Sequence, residues 1–186
     1  MVIALVISLA VITFLLVWGI GIYNRLVKLK NLMTEGWSTI DVFLKKRYDL
    51  IPNLVDSVKG YASHEKDTFE KVALARSRTL GTKDIVGRAA SENALGEVLG
   101  RMMMVAEKYP ELQANENFMY LQKELSRMEN EIERARRYYN GTVRENNIAI
   151  ETFPTNLVAS LFHFAKGEFY EVGEKEREVP QTSLGG

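Results

Sequence analysis

The chain has no cysteine, two histidines, two tryptophans and four prolines in 186 residues. Without cysteine there is no disulfide framework, no thiolate zinc site and no cysteine nucleophile. An excess of one charge is also missing. Lys and Arg number 24, Asp and Glu 24, so no basic surplus points to nucleic acid. The cancellation hides two opposite halves: residues 24–90 carry 13 basic and 8 acidic side chains, residues 91–186 carry 11 and 16. The most telling absence is local, since the first 24 residues hold no charge and all 48 charges fall after Asn24. An apolar head on a charged body excludes both a wholly soluble globule and a polytopic transporter.

What the head does contain is Val, Ile, Leu, Ala and Phe from Val2 to Tyr23, broken only by Ser8, Thr13, Gly19 and Gly21 among small or weakly polar residues. At about 1.5 Å per residue this helix is roughly 33 Å long, enough for a hydrocarbon core of about 30 Å. A cleaved signal peptide would have a basic start, a shorter apolar stretch and a small-x-small cleavage site. None of these is present, so residues 1–23 are expected to be an uncleaved transmembrane anchor. Arg25, Lys28 and Lys30 follow it directly. The positive-inside tendency then puts the N-terminus outside and the helical body in the cytoplasm, on the cell (inner) membrane. Trp18 and Tyr23 suit the headgroup level.

The body reads as all-α. Ile22, Leu26, Leu29, Met33, Trp37, Ile40, Leu44, Tyr48 and Ile51 recur at spacings of three and four, which lines one face of a helix continuing from the anchor to about residue 50. Pro52 is read as the turn, with a second helix from Pro52 to Leu80 and Gly81 as its stop. Residues 82–90 are weakly patterned and read as a loop or a frayed turn. Leu95, Leu99, Met102, Ala106 and Tyr109 mark a third helix, ended by Pro110. Asn115 or Asn117 caps a fourth, whose seam is Phe118, Leu121, Leu125, Met128, Ile132, Ala135 and Tyr139. The expected architecture is a transmembrane helix followed by an antiparallel up-and-down, four-helix-type bundle over residues 24–165, with a short C-terminal helix. The charged segment 166–186 is expected to be loosely ordered.

In that up-and-down order the 82–90 loop returns toward the bilayer, bringing Lys83 and Arg88 to the anionic headgroups beside Arg25, Lys28 and Lys30. After Pro154, the cluster Leu157, Val158, Leu161, Phe162 and Phe164 is expected to cap the open end of the bundle; the competing reading is an amphipathic helix in the membrane interface.

Reactive chemistry is scarce. His64-Glu65 begins like a zinc-protease helix, but position 68 is Thr and the second ligand is missing. Glu129 and Glu133 share a helix face, as di-iron bundles require, yet no Glu-x-x-His accompanies them. With Glu124, Glu131 and Glu145 they read as a solvated face among Arg134, Arg136, Arg137 and Arg144. Arg136-Arg137-Tyr138-Tyr139-Asn140 could grip phosphate or stack on bases, but Tyr139 lies on the seam, which favours packing. Met102 of Met102-Met103-Met104 is placed in the core by the same argument. Gly96 and Gly100 form a G-x-x-x-G, read as a close helix approach. No cofactor, metal or catalytic residue is expected, and the chain reads as a non-enzymatic scaffold that forms a homo-oligomer on the lipid bilayer.

Several stretches resemble the LemA family of bacterial membrane proteins. They are residues 23–27, the run Trp37-Ser38-Thr39-Ile40-Asp41-Val42, Leu44 to Val55 with Asp49-Leu50-Ile51-Pro52-Asn53 at its centre, and Gly60 to Glu65. Tyr109-Pro110-Glu111-Leu112, Ala114 to Phe118, Ala135 to Asn140 and Phe153 to Ala159 complete the set. The likeness covers residues 1 to about 165. It implies one N-terminal transmembrane helix and an antiparallel helical domain, with no established reaction, cofactor or catalytic residue. It also implies, as the alternative function, an adaptor for a membrane metalloprotease partner in envelope stress. The chain departs from the family at Phe162-His163-Phe164, where a glycine is expected between the aromatics, and in its Lys/Glu-rich tail.

Overall fold

The three-four spacing through Ile40, Leu44, Tyr48 and Ile51 is buried throughout, with none of the four more than 1% exposed. Burial on that scale contributes about 1.5–3 kcal/mol per large apolar side chain, which is what holds a helix of this kind against its neighbours. The computed structural model describes residues 1–82 and 84–170. Among them are six helices and no strand: α1 (Val2–Lys59), α2 (Lys66–Gly81), α3 (Ile85–Ala106), α4 (Pro110–Gln113), α5 (Glu116–Glu151) and α6 (Thr155–Leu161). The fold is all-α, an apolar N-terminal helix leading into antiparallel helices that end in a short one. By contacts the chain divides into one unit of Met1–Ile40 with Ala135–Glu168, and a second of Asp41–Arg134 with Phe169 and Tyr170.

In the second unit the end of α1, helices α2 to α4 and the first half of α5 pack around Leu44, Leu95, Leu99, Met102, Phe118, Met128 and Ile132, all buried. Pro52 does not end α1 as its chemistry predicts; the helix runs seven residues further. A proline cannot donate to the carbonyl four residues back, here that of Tyr48. The Arg76 Nε of α2 supplies the missing donor, at 2.9 Å from Tyr48 O. The turn therefore falls at residues 60–65, and α2 starts at Lys66 rather than at Pro52.

The expected 82–90 loop is also mostly helix. The Asp84 side chain accepts from Gly87 N at 2.6 Å and caps α3 from Ile85 onward. At the other end α3 stops at Ala106, and Pro110 starts the one-turn α4 rather than ending α3. Asn115 caps α5 as predicted, its Oδ1 accepting from Phe118 N at 3.1 Å. No close approach explains Gly96 and Gly100: nothing among the described residues lies within 4 Å of where a Cβ would stand at either.

The same unit buries charge. Arg47 and Glu92 are each 2% exposed. The guanidinium pairs with Glu92 and, through Nη1 at 2.5 Å, with Glu129, while the Tyr48 hydroxyl donates to Glu92. This network ties α1 to α3 and α5.

The first unit lays residues 135–151 of α5 antiparallel to about residues 24–40 of α1. Gly36 lies against Tyr139, where an added Cβ would be 3.2 Å from the Tyr139 Cα and 3.3 Å from the Tyr138 ring. Ten residues back along α1 and ten further along α5, Leu26 meets Ala149. Trp37 and Tyr139 complete the contact with ring centroids 5.8 Å apart. Past α6 the backbone returns along α5. Asn147 accepts from Gly167 N at 2.8 Å and donates to Gly167 O at 3.0 Å, and the Tyr139 hydroxyl donates to Glu168 O at 2.8 Å. Residues 166–168 are thus pinned, where the charge pattern alone predicted a loose tail. The tail from 171 onward lies outside the described residues.

Candidate membrane-facing site

The site is built from one end of the first unit. Residues 2 to 17 of α1 are all exposed, and the helix carries a span long and apolar enough to cross a membrane. Trp18 and Tyr23 are 43% and 37% exposed near its end, and Arg25, Lys28 and Lys30 are exposed just beyond. Leu26 is fully buried among them, because it faces Ala149 and Ala159. The register therefore turns the apolar face toward α5 and α6 and leaves the three cations on the outside.

Helix α6 has two faces. Thr155 and Ala159 are buried, and Val158 and Phe164 pack with Ile22 and Leu29 on the Leu26 cluster. This face caps the α1–α5 pair, as the expected end-capping requires. On the other face Leu157, Leu161 and Phe162 are 61%, 72% and 54% exposed, with Phe153 beside them at 73%. Tyr23 sits edge-on to Phe162 and Phe164, at 4.8 and 5.7 Å between centroids. Beside this aromatic trio an apolar groove of about 340 Å³ runs between Leu15, Gly19 and Tyr23 of α1 and Val158, Leu161 and Phe162.

The turn that brings Phe164 back onto Tyr23 is a Schellman motif. His163 N donates to Ser160 O at 3.2 Å and Phe164 N to Ala159 O at 2.9 Å. The motif needs a left-handed residue, and His163 holds it with φ 55°. This is the position where the family resemblance leads one to expect glycine. A side chain there costs about 1–2 kcal/mol, part of which glycine returns through its freer unfolded chain. His163→Gly is expected to stabilise the protein by about 0.5–1 kcal/mol and His163→Val to destabilise it by a similar amount. Thermal unfolding of the full-length protein in detergent, followed by circular dichroism, measures both.

The structure thus brings Tyr23, Leu161, Phe162 and Phe164 together, with Leu157 on the same outer face. In the second unit, the Arg88 Nε donates to Thr82 O at 2.8 Å and its Nη1 to Asp41 at 3.2 Å. Lys83 lies outside the described residues. Sequence reasoning missed the buried Arg47–Glu92 pair, whose only signal was charge beside the seam positions Leu44, Tyr48 and Leu95.

A sequence profile of the LemA family matches residues 36–184. The chain belongs to the LemA family. It is 28% identical over 166 residues to Protein LemA of Metamycoplasma hominis, covering 88% of this chain and 75% of that protein. It is 26% identical over 175 residues to Magnetosome protein MamQ 2 of Paramagnetospirillum magneticum, covering 80% and 64%. Magnetosome protein MamQ of Magnetospirillum gryphiswaldense matches at 24% over 174 residues, again 64% of its length. This LemA-family chain therefore spans less than two thirds of the MamQ relatives. Its name-bearing relatives and its apolar helix make it a membrane-associated helical protein, and none of those names describes a reaction.

Proposed function

We propose that this chain is a single-pass, membrane-anchored scaffold that self-associates at the cytoplasmic face of the membrane. The observation that carries the reading is an open face on α3. Gly96, Gly100 and Met104 follow one another at four-residue spacing, nothing among the described residues lies within 4 Å of a Cβ position at either glycine, and Met104 is 57% exposed. Small residues on a helix let a second helix approach closely, and an exposed methionine adapts to the surface it meets. Arg25, Lys28 and Lys30 support the cytoplasmic placement.

The absence of native cysteine makes the test direct. Gly100→Cys is expected to crosslink to a dimer in native membranes at physiological expression, and to react with an impermeant maleimide only after the cells are opened. Gly100→Leu fills the open face without disturbing the fold and is expected to abolish association of an otherwise normal protein. Monomer alone in the crosslinking experiment rejects self-association; labelling in intact cells rejects the orientation.

A further inference from the structure

Charges are dense after residue 24, yet none occurs from Thr152 to Ala165, the longest uncharged stretch of the body. Glu151 and Lys166, which bracket it, form an ion pair with each other. The stretch is therefore an excursion closed at its neck by that pair. It contains α6, and its one titratable side chain is His163.

The excursion has a defined partner in the first unit. The groove it forms reaches Leu15 on α1, eight residues before Tyr23, or about 12 Å along a helix axis. If Val2–Tyr23 crosses the hydrocarbon, its last two turns lie in the leaflet next to the body, and whatever packs on them lies there too. Phe162 and Leu161 do so, and Phe153 and Leu157 extend the same exposed apolar surface outward. In water that surface would be unfavourable; beside a lipid-facing helix it meets the medium that already bathes Leu15 and Leu16.

We infer that the outer face of α6 is embedded in the leaflet around the end of the span, and that phospholipid acyl chains fill the groove between α6 and α1. The inference rests on the reading of Val2–Tyr23 as a span. The Glu151–Lys166 pair marks the level at which the excursion leaves water. The protein thus holds its membrane by two elements: a helix that crosses it and a short helix that lies in one leaflet, joined through Tyr23, Phe162 and Phe164. The mode of attachment fixes depth as well as location, because α6 cannot sink further without drawing the ion pair and the exposed Arg25 and Lys28 into hydrocarbon.

Single cysteines at Leu9, Leu161 and the exposed Tyr120 of the full-length protein, each carrying a nitroxide, test this in phosphatidylcholine–phosphatidylglycerol vesicles. Collision with dissolved oxygen and with a water-soluble nickel chelate reports the medium at each label. Expected is a Leu161 label that resembles Leu9, rich in oxygen collisions and several-fold poorer in nickel collisions than Tyr120. Nickel access at Leu161 equal to that at Tyr120, with Leu9 still shielded, overturns the inference and leaves the span standing. Nickel access at Leu9 overturns both. Spin–spin broadening at Leu161 that vanishes on dilution with unlabelled protein shows a second copy in the groove, and overturns lipid as its occupant. Leu157→Asp with Leu161→Asp, in which α6 keeps its buried face, is expected to raise nickel access at a label on Phe153 by the same several-fold margin.

Discussion

Glu92→Leu is expected to lower the stability of the helical body by about 3 kcal/mol. Its partner Arg47 is almost fully buried, and the Arg47 Nε already has no hydrogen-bond partner among the described residues. Without Glu92 the guanidinium keeps only Glu129, whose side chain is 47% exposed and already shared with water. The Tyr48 hydroxyl loses its acceptor in the same step. Breaking a buried pair from one side leaves an uncompensated charge and costs about 3–5 kcal/mol, whereas replacing the whole group with apolar side chains is near neutral or stabilising. Glu129→Ala should therefore cost about 1 kcal/mol or less. Arg47→Met with Glu92→Leu and Tyr48→Phe should recover most of the loss. Thermal unfolding in detergent reads the series, with Glu92→Leu falling by about 6–12 °C for a chain of this length. A triple variant as unstable as Glu92→Leu would show that the polar network itself, and not the stranded cation, sets the stability.

Tyr139→Ala is expected to cost about 3–5 kcal/mol, the range for emptying a buried aromatic site. The side chain is 2% exposed, packs against Trp37 and backs onto Gly36, so the contact between α1 and α5 in the first unit turns on it. Tyr139→Phe keeps that packing and loses only the hydrogen bond to Glu168 O, worth about 1 kcal/mol. The two variants also differ in pH dependence. Burial, and then the Glu168 carboxylate, push the Tyr139 phenol above its ordinary value. The folded state thus favours the neutral phenol. Its contribution is complete below the ordinary tyrosine pKa of about 10 and is lost as pH rises through the higher folded value. Unfolding midpoints measured from about pH 8 to 11 should fall more steeply for the native protein than for Tyr139→Phe. Parallel curves would remove Tyr139 from the alkaline response.

These two sites show what a one-dimensional reading captures. Tyr139, Met128, Ile132 and the Leu44–Ile51 face were legible because a helical seam repeats every three or four residues and depends on nothing distant. Pro52 was misread for the complementary reason. Locally it breaks a helix, and the donor that rescues the Tyr48 carbonyl comes from Arg76, a residue on another helix. Arg47 and Glu92 were invisible to a search for apolar periodicity, although both stand beside its positions. The 82–90 segment did carry its signal in Asp84, a good N-cap, but the weak pattern after it masked the start of α3. Around Tyr23 the apolar cluster after Pro154 was legible as a short helix. Its two-sidedness was not, since that depends on where Leu26 and Tyr23 stand in space.

The first unit joins the opening 40 residues to a segment that begins only at Ala135, with 94 residues between them. At a synthesis rate of about 5–20 residues per second, that interval lasts roughly 5–19 s. During it, Leu26, Leu29, Met33 and Trp37 emerge from the ribosome while Tyr139, Ala149 and Ala159 do not yet exist. The apolar stripe directly beyond the span is therefore born unsheltered, next to the bilayer, and stays so until α5 and α6 are made. Any nascent chain that stops before Ala135 keeps the stripe bare for good, which makes premature termination in the middle of this protein a source of sticky, membrane-bound fragments.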